Sequence, residues 1–299
     1  MRGRPSEPAY SVLVPAPIQT LTTIDEARVF VAAERAAGRT VALVPTMGAL
    51  HAGHLELVRV AREHADTVVA SVFVNPMQFG PHEDLDRYPR SPEADTQQLI
   101  VLGTDAVFMP ETDEMYPEGR SATVVTAGHL GTVLEGRSRP GHYDGVLTVV
   151  TKLFSILQPH VAVFGEKDAQ QLFLVRRMVR DLNLPLEIVG VPTVREADGL
   201  AMSSRNLLLT AGERQDALVL SRALEAAGSA ADRGVEAMLA AAQAVFQSEA
   251  SGATLDYLAI VDPATFQFAN DAHHGPAQVL VAARVGAVRL IDNAVFSIP

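Results

Sequence analysis

The chain has 299 residues, a formal net charge of −11 and no cysteine. Its length suits one large domain or two unequal ones, with a full core and no need for covalent or metal staples. The missing thiols exclude disulfides, thiolate–zinc sites and cysteine nucleophiles, and the acidic balance speaks against a nucleic-acid or membrane-surface binder, either of which needs a basic footprint. In chain order, residues 1–17 come first. They carry Pro5, Pro8, Pro15 and Pro17 and no continuous apolar stretch, the pattern of a flexible leader and not of a secretory signal. No apolar run approaches the ~20 residues that span a bilayer, so a cytoplasmic protein is expected.

Short apolar runs then alternate with helical patterns. Strands are expected at Thr40–Val44, Thr67–Val74, Ala106–Met109, Val161–Phe164 and Glu187–Val191. Among the helices between them, Val146, Val149, Val150, Leu153, Phe154 and Leu157 fill one face, and Leu172, Val175, Val179 and Leu182 fill another. Such alternation predicts a doubly wound, mostly parallel sheet over residues 18–194. After Val194 the pattern changes. Thr210-Ala-Gly-Glu213 reads as a capping box opening a helix to about Ala226. An Ala-rich helix over Val235–Phe246 follows, then strands at Leu255–Val261, Gln278–Ala283 and Val288–Ile291. Helices followed by strands predict a smaller α+β domain over residues 195–299.

Three polar clusters directly follow expected strands: Pro45 to His54, Asn75 to Phe79, and Gly165-Glu-Lys-Asp168. Ligands of open α/β sheets bind beyond the carboxyl ends of the strands, so all three can meet in one crevice. His51-Ala-Gly-His54 opens a helix whose unpaired N–H groups and positive dipole end favour phosphate. Spaced three apart, both imidazoles can share one face, and Gly48 and Gly53 let a nucleotide approach the backbone. An isolated HxGH also occurs by chance as surface or capping histidines, and as a metal site it lacks an evident third ligand. Lys167 suits a phosphate as a point charge, Asp168 suits ribose hydroxyls as an acceptor, and Gln171 lies one turn further on. A charged first helical turn is the plainer reading of those residues. Ser203-Ser204-Arg205 can clamp phosphate oxygens, from a position between two domains that also suits a linker. Gly136-Arg-Ser-Arg139-Pro-Gly-His142 is either an anion contact or a connecting loop, and no Walker P-loop occurs. His273-His274 reads as a surface loop.

Five segments in this order, VPTMGALHAGH (44–54), FVNPMQF (73–79), LEGRSRPGHYDGV (134–146), FGEKDAQQL (164–172) and VPTVREADGLAMSSRN (191–206), resemble the pantoate–β-alanine ligase family of the HIGH-motif nucleotidyltransferase superfamily. The resemblance implies a Rossmann-like α/β fold with a smaller C-terminal α+β lid domain, and an ATP-dependent ligase. That enzyme condenses pantoate with β-alanine through a pantoyl-adenylate and releases AMP and pyrophosphate. It implies that Met47, Gly48, His51, His54, Gly165, Glu166, Lys167, Asp168, Val194, Met202, Ser203, Ser204 and Arg205 bind ATP. Val194 would take the adenine and Met202–Arg205 the triphosphate. His54 would be the proton donor, with His51, Lys167 and Arg205 neutralising phosphate charge. Gln78 and Gln171 would hold pantoate, and Gln78 also β-alanine. Mg²⁺ would be bound mainly through ATP, and a homodimer is expected. A nucleotidyltransferase acting on another small acid or phosphate is the alternative within the superfamily, and a non-catalytic nucleotide-binding module a third reading.

Overall fold

The computed structural model describes residues 18–81, 83–249 and 252–299; the expected leader, residues 1–17, lies outside them. The first unit begins with β1 (Gln19–Leu21) and α1 (Ile24–Ala36), followed by β2 (Val41–Thr46), α2 (Ala52–His64) and β3 (Thr67–Val72). It continues with α3 (Pro92–Val101), β4 (Ala106–Phe108) and the short helices α4 (Thr112–Met115) and α5 (Glu135–Ser138). Helix α6 (His142–Leu157), β5 (Val161–Gly165), α7 (Ala169–Asp181) and β6 (Glu187–Val191) complete it. Its six strands are all parallel, in the order β1-β4-β3-β2-β5-β6.

Side-chain alternation along the strands shows why helices cover both faces. Val41 and Leu43 join one apolar cluster with Leu153, Phe164 and Val175, while Ala42 and Val44 join another with Val58, Leu99 and Val163. One parity packs toward α1, α6 and α7 and the other toward α2 and α3, which makes the sheet doubly wound. Strand β2 lies between β3 and β5, so the chain reverses its direction of travel across the sheet there. That is the switch point where such folds open a crevice.

The second unit comprises α8 (Ala211–Ala217), α9 (Val219–Gly228), α10 (Val235–Glu249) and an antiparallel sheet of β7 (Ala253–Val261), β8 (Gly275–Val285) and β9 (Val288–Ile298). Alternate residues of β8, namely Ala277, Val279, Val281 and Ala283, pack with α9 and α10. On the other face Leu280 and Val261 meet Leu134 and Ala169 of the first unit. The expected α/β fold with a smaller C-terminal α+β unit is therefore present. The capping box is present as well: Thr210 Oγ1 accepts from Glu213 N at 3.3 Å, and the Glu213 carboxylate accepts from Thr210 N at 2.8 Å.

The structure corrects several expected boundaries. The helix expected to run from Thr210 to Ala226 breaks at Leu218, whose N–H bonds to Gln215 O, a tightening that ends α8 before α9 begins. Strand β3 stops at Val72, because Asn75 opens a 3₁₀ turn over Pro76–Gln78. Strand β9 runs seven residues past its expected end at Ile291, to Ile298.

Helix α6 packs directly on the Pro76–Gln78 turn. A Cβ at Gly145 would overlap the Met77 carbonyl oxygen and the Gln78 Cα, so only glycine permits this approach. Gly145→Ala is expected to destabilise the fold by roughly 1–3 kcal/mol, the usual cost of overpacking, read as a lowered midpoint in urea. An unchanged midpoint would show that the turn yields without cost.

Candidate active site

The carboxyl ends of β2, β3 and β5 open into one cleft. It is lined by Met47, His51, His54, Gln78, Gly165, Lys167, Asp168, Gln171, Val194, Met202, Ser203, Ser204 and Arg205. Thirteen of the fifteen residues assigned to the site from the sequence thus share one cleft, although they come from four separate segments of the chain. Gly48 and Glu166 do not line it. Gly48 sits in a turn at φ +86°, packed against Asp95 and Val72. Glu166 lies in a groove on the other side of its turn, beside Arg176.

The loop after β2 is shaped by a residue that no motif marks. Asp95 of α3, 1% exposed, accepts the Ala49 N–H at 2.9 Å and the Leu50 N–H at 2.8 Å. It anchors the loop that leads into α2. His51 is the N-cap of that helix and His54 its third residue. His51 Nδ1 accepts the Gly53 N–H at 3.2 Å, and His54 Nδ1 accepts the His51 N–H at 3.4 Å. A ring nitrogen that accepts carries no proton, so both rings are neutral with their hydrogen on Nε2. Their centroids are 4.1 Å apart. Burial, reinforced by the nearby Lys167 charge, lowers His51 to about 4. Burial, reinforced by His51, lowers His54 to about 3. In the free protein, therefore, the pair presents two N–H donors and no charge.

Gln78 is held from three sides. Asn75, 1% exposed, donates from Nδ2 to Gln78 Oε1 at 3.0 Å and accepts from the Tyr116 hydroxyl at 2.8 Å. The Gln78 carbonyl accepts from His142 Nδ1 at 2.9 Å, while His142 Nε2 faces Arg139 Nη1 at 3.0 Å. With Oε1 already engaged, the amide turns its N–H groups outward, where Nε2 meets only the weak acceptor Met47 Sδ at 3.0 Å. Beside it, Phe73 and the α6 residues Val146, Val149, Val150 and Leu153 give the cleft an apolar floor. Read in the sequence as a core face, that side of α6 is both core and cleft wall.

The positive groups are not equivalent. Lys167 forms no ion pair among the described residues, whereas Arg205 is bound bidentately to Asp84 at 3.0 and 3.0 Å. Arg139 is likewise held by Glu83 at 2.9 and 2.6 Å, so the loop between the Gln78 turn and Tyr88 supplies a carboxylate to each arginine. Burial works most strongly against the Arg205 charge, but its hydrogen bonds to Asp84 and the charge of Asp84, with smaller help from Tyr88 and Asp168, together raise its pKa. Tyr88 Oη contacts Ser204 Oγ at 3.2 Å. Asp84 and Asp95 lie outside every motif, so the sequence offered no signal for them, whereas Asn75 stands in the FVNPMQF segment with no role assigned to it. Arg139 lay in a loop whose role the sequence left open, and it lines the cleft. His273 and His274 take no part in it; both bond to main-chain carbonyls, of Pro276 and Pro299.

Residues 19–295 match the model of the pantoate–β-alanine ligase family. The chain is 55% identical over 281 residues to a pantothenate synthetase of Leifsonia xyli, covering 94% of this chain and 97% of that one. Among solved structures, it superposes on the pantothenate synthetase of Thermus thermophilus with a TM-score of 0.87 at 49% identity, covering 93% and 99% of the two chains. It also superposes on the pantoate–β-alanine ligase of Francisella tularensis complexed with β-γ ATP and β-alanine, with a TM-score of 0.74 at 33% identity, covering 93% and 97%.

Burial, with the charge of Arg139, also lowers His142 to about 4. Between about pH 4 and the ordinary histidine value of 6.5, the unfolded chain therefore binds more protons at these rings than the folded one. Their contribution to stability is complete above that window and is lost as pH falls through it. Imidazole ¹⁵N spectra of the ligand-free protein at neutral pH should show His51 and His54 as neutral rings protonated on Nε2; imidazolium shifts would overturn the assignment.

Proposed function

The chain belongs to the pantoate–β-alanine ligase family, and from that premise we propose how its cleft divides the work of joining pantoate to β-alanine with ATP. It is a ligase of pantothenate formation. A free carboxylate is a poor acyl donor because its leaving group would be oxide. In the first step the pantoate carboxylate attacks the α-phosphorus, the bond to pyrophosphate breaks, and a mixed anhydride forms. In the second the β-alanine amine attacks the activated carbonyl, loses a proton and expels AMP. Neither step needs a covalent bond to the protein, so positioning and charge stabilisation carry the rate.

What supports this division of labour is a convergence at the β2/β5 switch point. The N-terminal ends of α2 and α7, Lys167 and the Ser203–Arg205 segment share a cleft with the neutral amides of Gln78 and Gln171. In this reading Met47 and Gly48, the two histidines, Gly165–Asp168 and Met202–Arg205 hold ATP, with Val194 at the adenine. His51 and His54 meet the phosphates as Nε2–H donors. An anion set against neutral imidazoles favours their protonation, so His54 becomes the proton donor once ATP is bound, with His51 beside it. Lys167 offsets charge at once. Arg205 does so by exchanging Asp84 for phosphate oxygens.

Gln78 and Gln171 orient pantoate's oxygens without adding charge, the α6 floor takes its two methyl groups, and Gln78 also serves β-alanine. Among the described residues no group of three or more His, Asp or Glu side chains is placed to hold a metal. Mg²⁺ is proposed as a companion of ATP that would be held mainly by the nucleotide's own oxygens and would offset their charge. Residues 195–299 are proposed as a lid over residues 18–194. Among the described residues no helix is long and apolar enough to cross a membrane, and a cytoplasmic homodimer is proposed.

With ATP, pantoate and β-alanine supplied, AMP and pantothenate should form together, and omitting any one substrate should abolish the amide. AMP release that ignores β-alanine would favour a plain nucleotidyltransferase. Lys167→Ala and His54→Ala should each slow pantoyl-adenylate formation by about 10²–10³-fold, the typical loss of one preorganised donor, with circular dichroism unchanged. Near-normal turnover would reject those roles. Sedimentation equilibrium should give twice the mass of one chain; the mass of a single chain would reject the homodimer.

A further inference from the structure

Two adjacent residues far from every motif touch the Lys167 turn on one side and, on the other, Arg195 at the base of the hairpin that leads into Ser203–Arg205. In β9, Asp292 and Asn293 lie opposite Val281 and Leu280 of β8 and are 4% and 7% exposed. Successive residues of a strand face opposite sides, so a single position along β9 reaches two walls. Asn293 Nδ2 donates to the carbonyl oxygens of Glu166 at 3.0 Å and Lys167 at 2.8 Å. Its Oδ1 accepts from Gln278 Nε2 at 2.9 Å, which fixes the direction of the amide. Asp292 binds Arg195 bidentately at 2.7 and 2.9 Å and accepts the Asn293 N–H at 2.8 Å. Arg195 stands at the base of a small hairpin. It bridges Ala201 and donates to Gly199 O at 3.0 Å, and Val194 O accepts from Met202 N at 2.9 Å. The chain leaves that hairpin directly into Ser203, Ser204 and Arg205.

We propose that Asp292 and Asn293 are positioning residues for adenylation, a clasp by which β9 fixes the Lys167 turn relative to the Ser203–Arg205 segment. The proposal rests on the reading of those two segments as the triphosphate site. Buried hydrogen bonds to main-chain carbonyls suit this purpose: they set where a turn lies without taking the lysine's charge. Removing Asn293's amide leaves two carbonyls short of a donor and frees the turn, and a carboxylate in its place repels them. A displacement of a phosphate-binding group by about 1 Å can cost about 10²-fold in rate, even when it originates far from the chemistry.

The test is single-turnover adenylation with varied ATP, alongside steady-state kinetics for β-alanine. Asn293→Ala, Asn293→Asp and Asp292→Asn are each expected to raise the ATP KM and slow adenylation by about tenfold or more, Asp being worse than Ala at position 293. The β-alanine KM should stay near that of the parent enzyme. Gln278→Met, which only releases the amide's orientation, should show the same selectivity at smaller size and keeps the test open if the stronger variants fold poorly. In a Lys167→Ala background, Asn293→Ala should add little, because its effect passes through that turn.

The clasp is overturned if Asn293→Ala and Gln278→Met leave ATP kinetics unchanged. Equal losses toward ATP, pantoate and β-alanine, or full additivity with Lys167→Ala, would also overturn it, since either marks general destabilisation. A Lys167→Ala enzyme with normal adenylation would instead overturn the triphosphate reading itself. A crippled Lys167→Ala enzyme beside a normal Asn293→Ala enzyme would overturn only the clasp.

Discussion

The parallel pairing of β2 with β5, through Ala42 with Val161 and Leu43 with Ala162, is the constraint from which the cleft follows. Each strand must deliver its chain to a helix on a face of the sheet. Because β2 and β5 lead away to opposite sides of the switch point, nothing fills the gap between their carboxyl ends. Helix α2 starts on one side of that gap and α7 on the other. The positive dipole ends of two helices, with Lys167 between them, favour an anion in a protein whose net charge is −11. No P-loop is needed where two helix starts already face each other.

Electrostatics in the free cleft are more restrained than the sequence suggested. The histidines are occupied in capping their own helix and remain neutral, and the two arginines are each neutralised by a carboxylate from one loop. Lys167 is left as the cation without an ion pair among these groups. Clustering five positive charges around an empty cavity would cost desolvation and mutual repulsion. Here the field is held in reserve. In the proposed function a triphosphate would draw it out, by favouring protonation of rings that sit near 3 and 4 in the free protein and by displacing Asp84 from Arg205.

How much of this was legible depended on whether the determining contact was local. Five of the six strands of the parallel sheet and the helix starts after them were readable because alternation and capping are properties of neighbouring residues; Glu187–Val191 is found with its expected bounds, while the three-residue edge strand β1 was not expected. The motif residues were readable as a group, and the sheet topology then explains why distant segments meet. Asp95 and Asp84 were not readable, and of Asn75 only its place in a motif was, not its hold on Gln78. Each works by bonding to a partner brought near by the fold, and a lone Asp or Asn in a polar stretch carries no periodicity. The missed continuation of β9 has the same origin. Asp292-Asn293 interrupts the apolar pattern, which reads as the end of a strand. Those side chains are satisfied by Arg195, Gln278 and two carbonyls of the first unit, so the strand continues through them.

That continuation bears on why the motif-poor C-terminal third is required at all. An acyl-adenylate is a hydrolysable anhydride, so the cleft must bring three substrates together and still keep bulk water from the activated carbonyl. The first unit alone supplies an apolar floor from α6, the Gln78 turn and two helix ends, all facing outward from an open sheet edge. Closure from above has to come from residues that register on the same turn that carries Lys167, or the phosphate groups and the roof would drift independently. Packing of Leu280 and Val261 against Leu134 and Ala169 brings the second sheet alongside the first. Apolar contact is non-directional, however, and leaves the register free to slide. Directed bonds from β9 to the carbonyls of Glu166 and Lys167 remove that freedom, and so the geometry of the proposed nucleotide site would belong to both units at once.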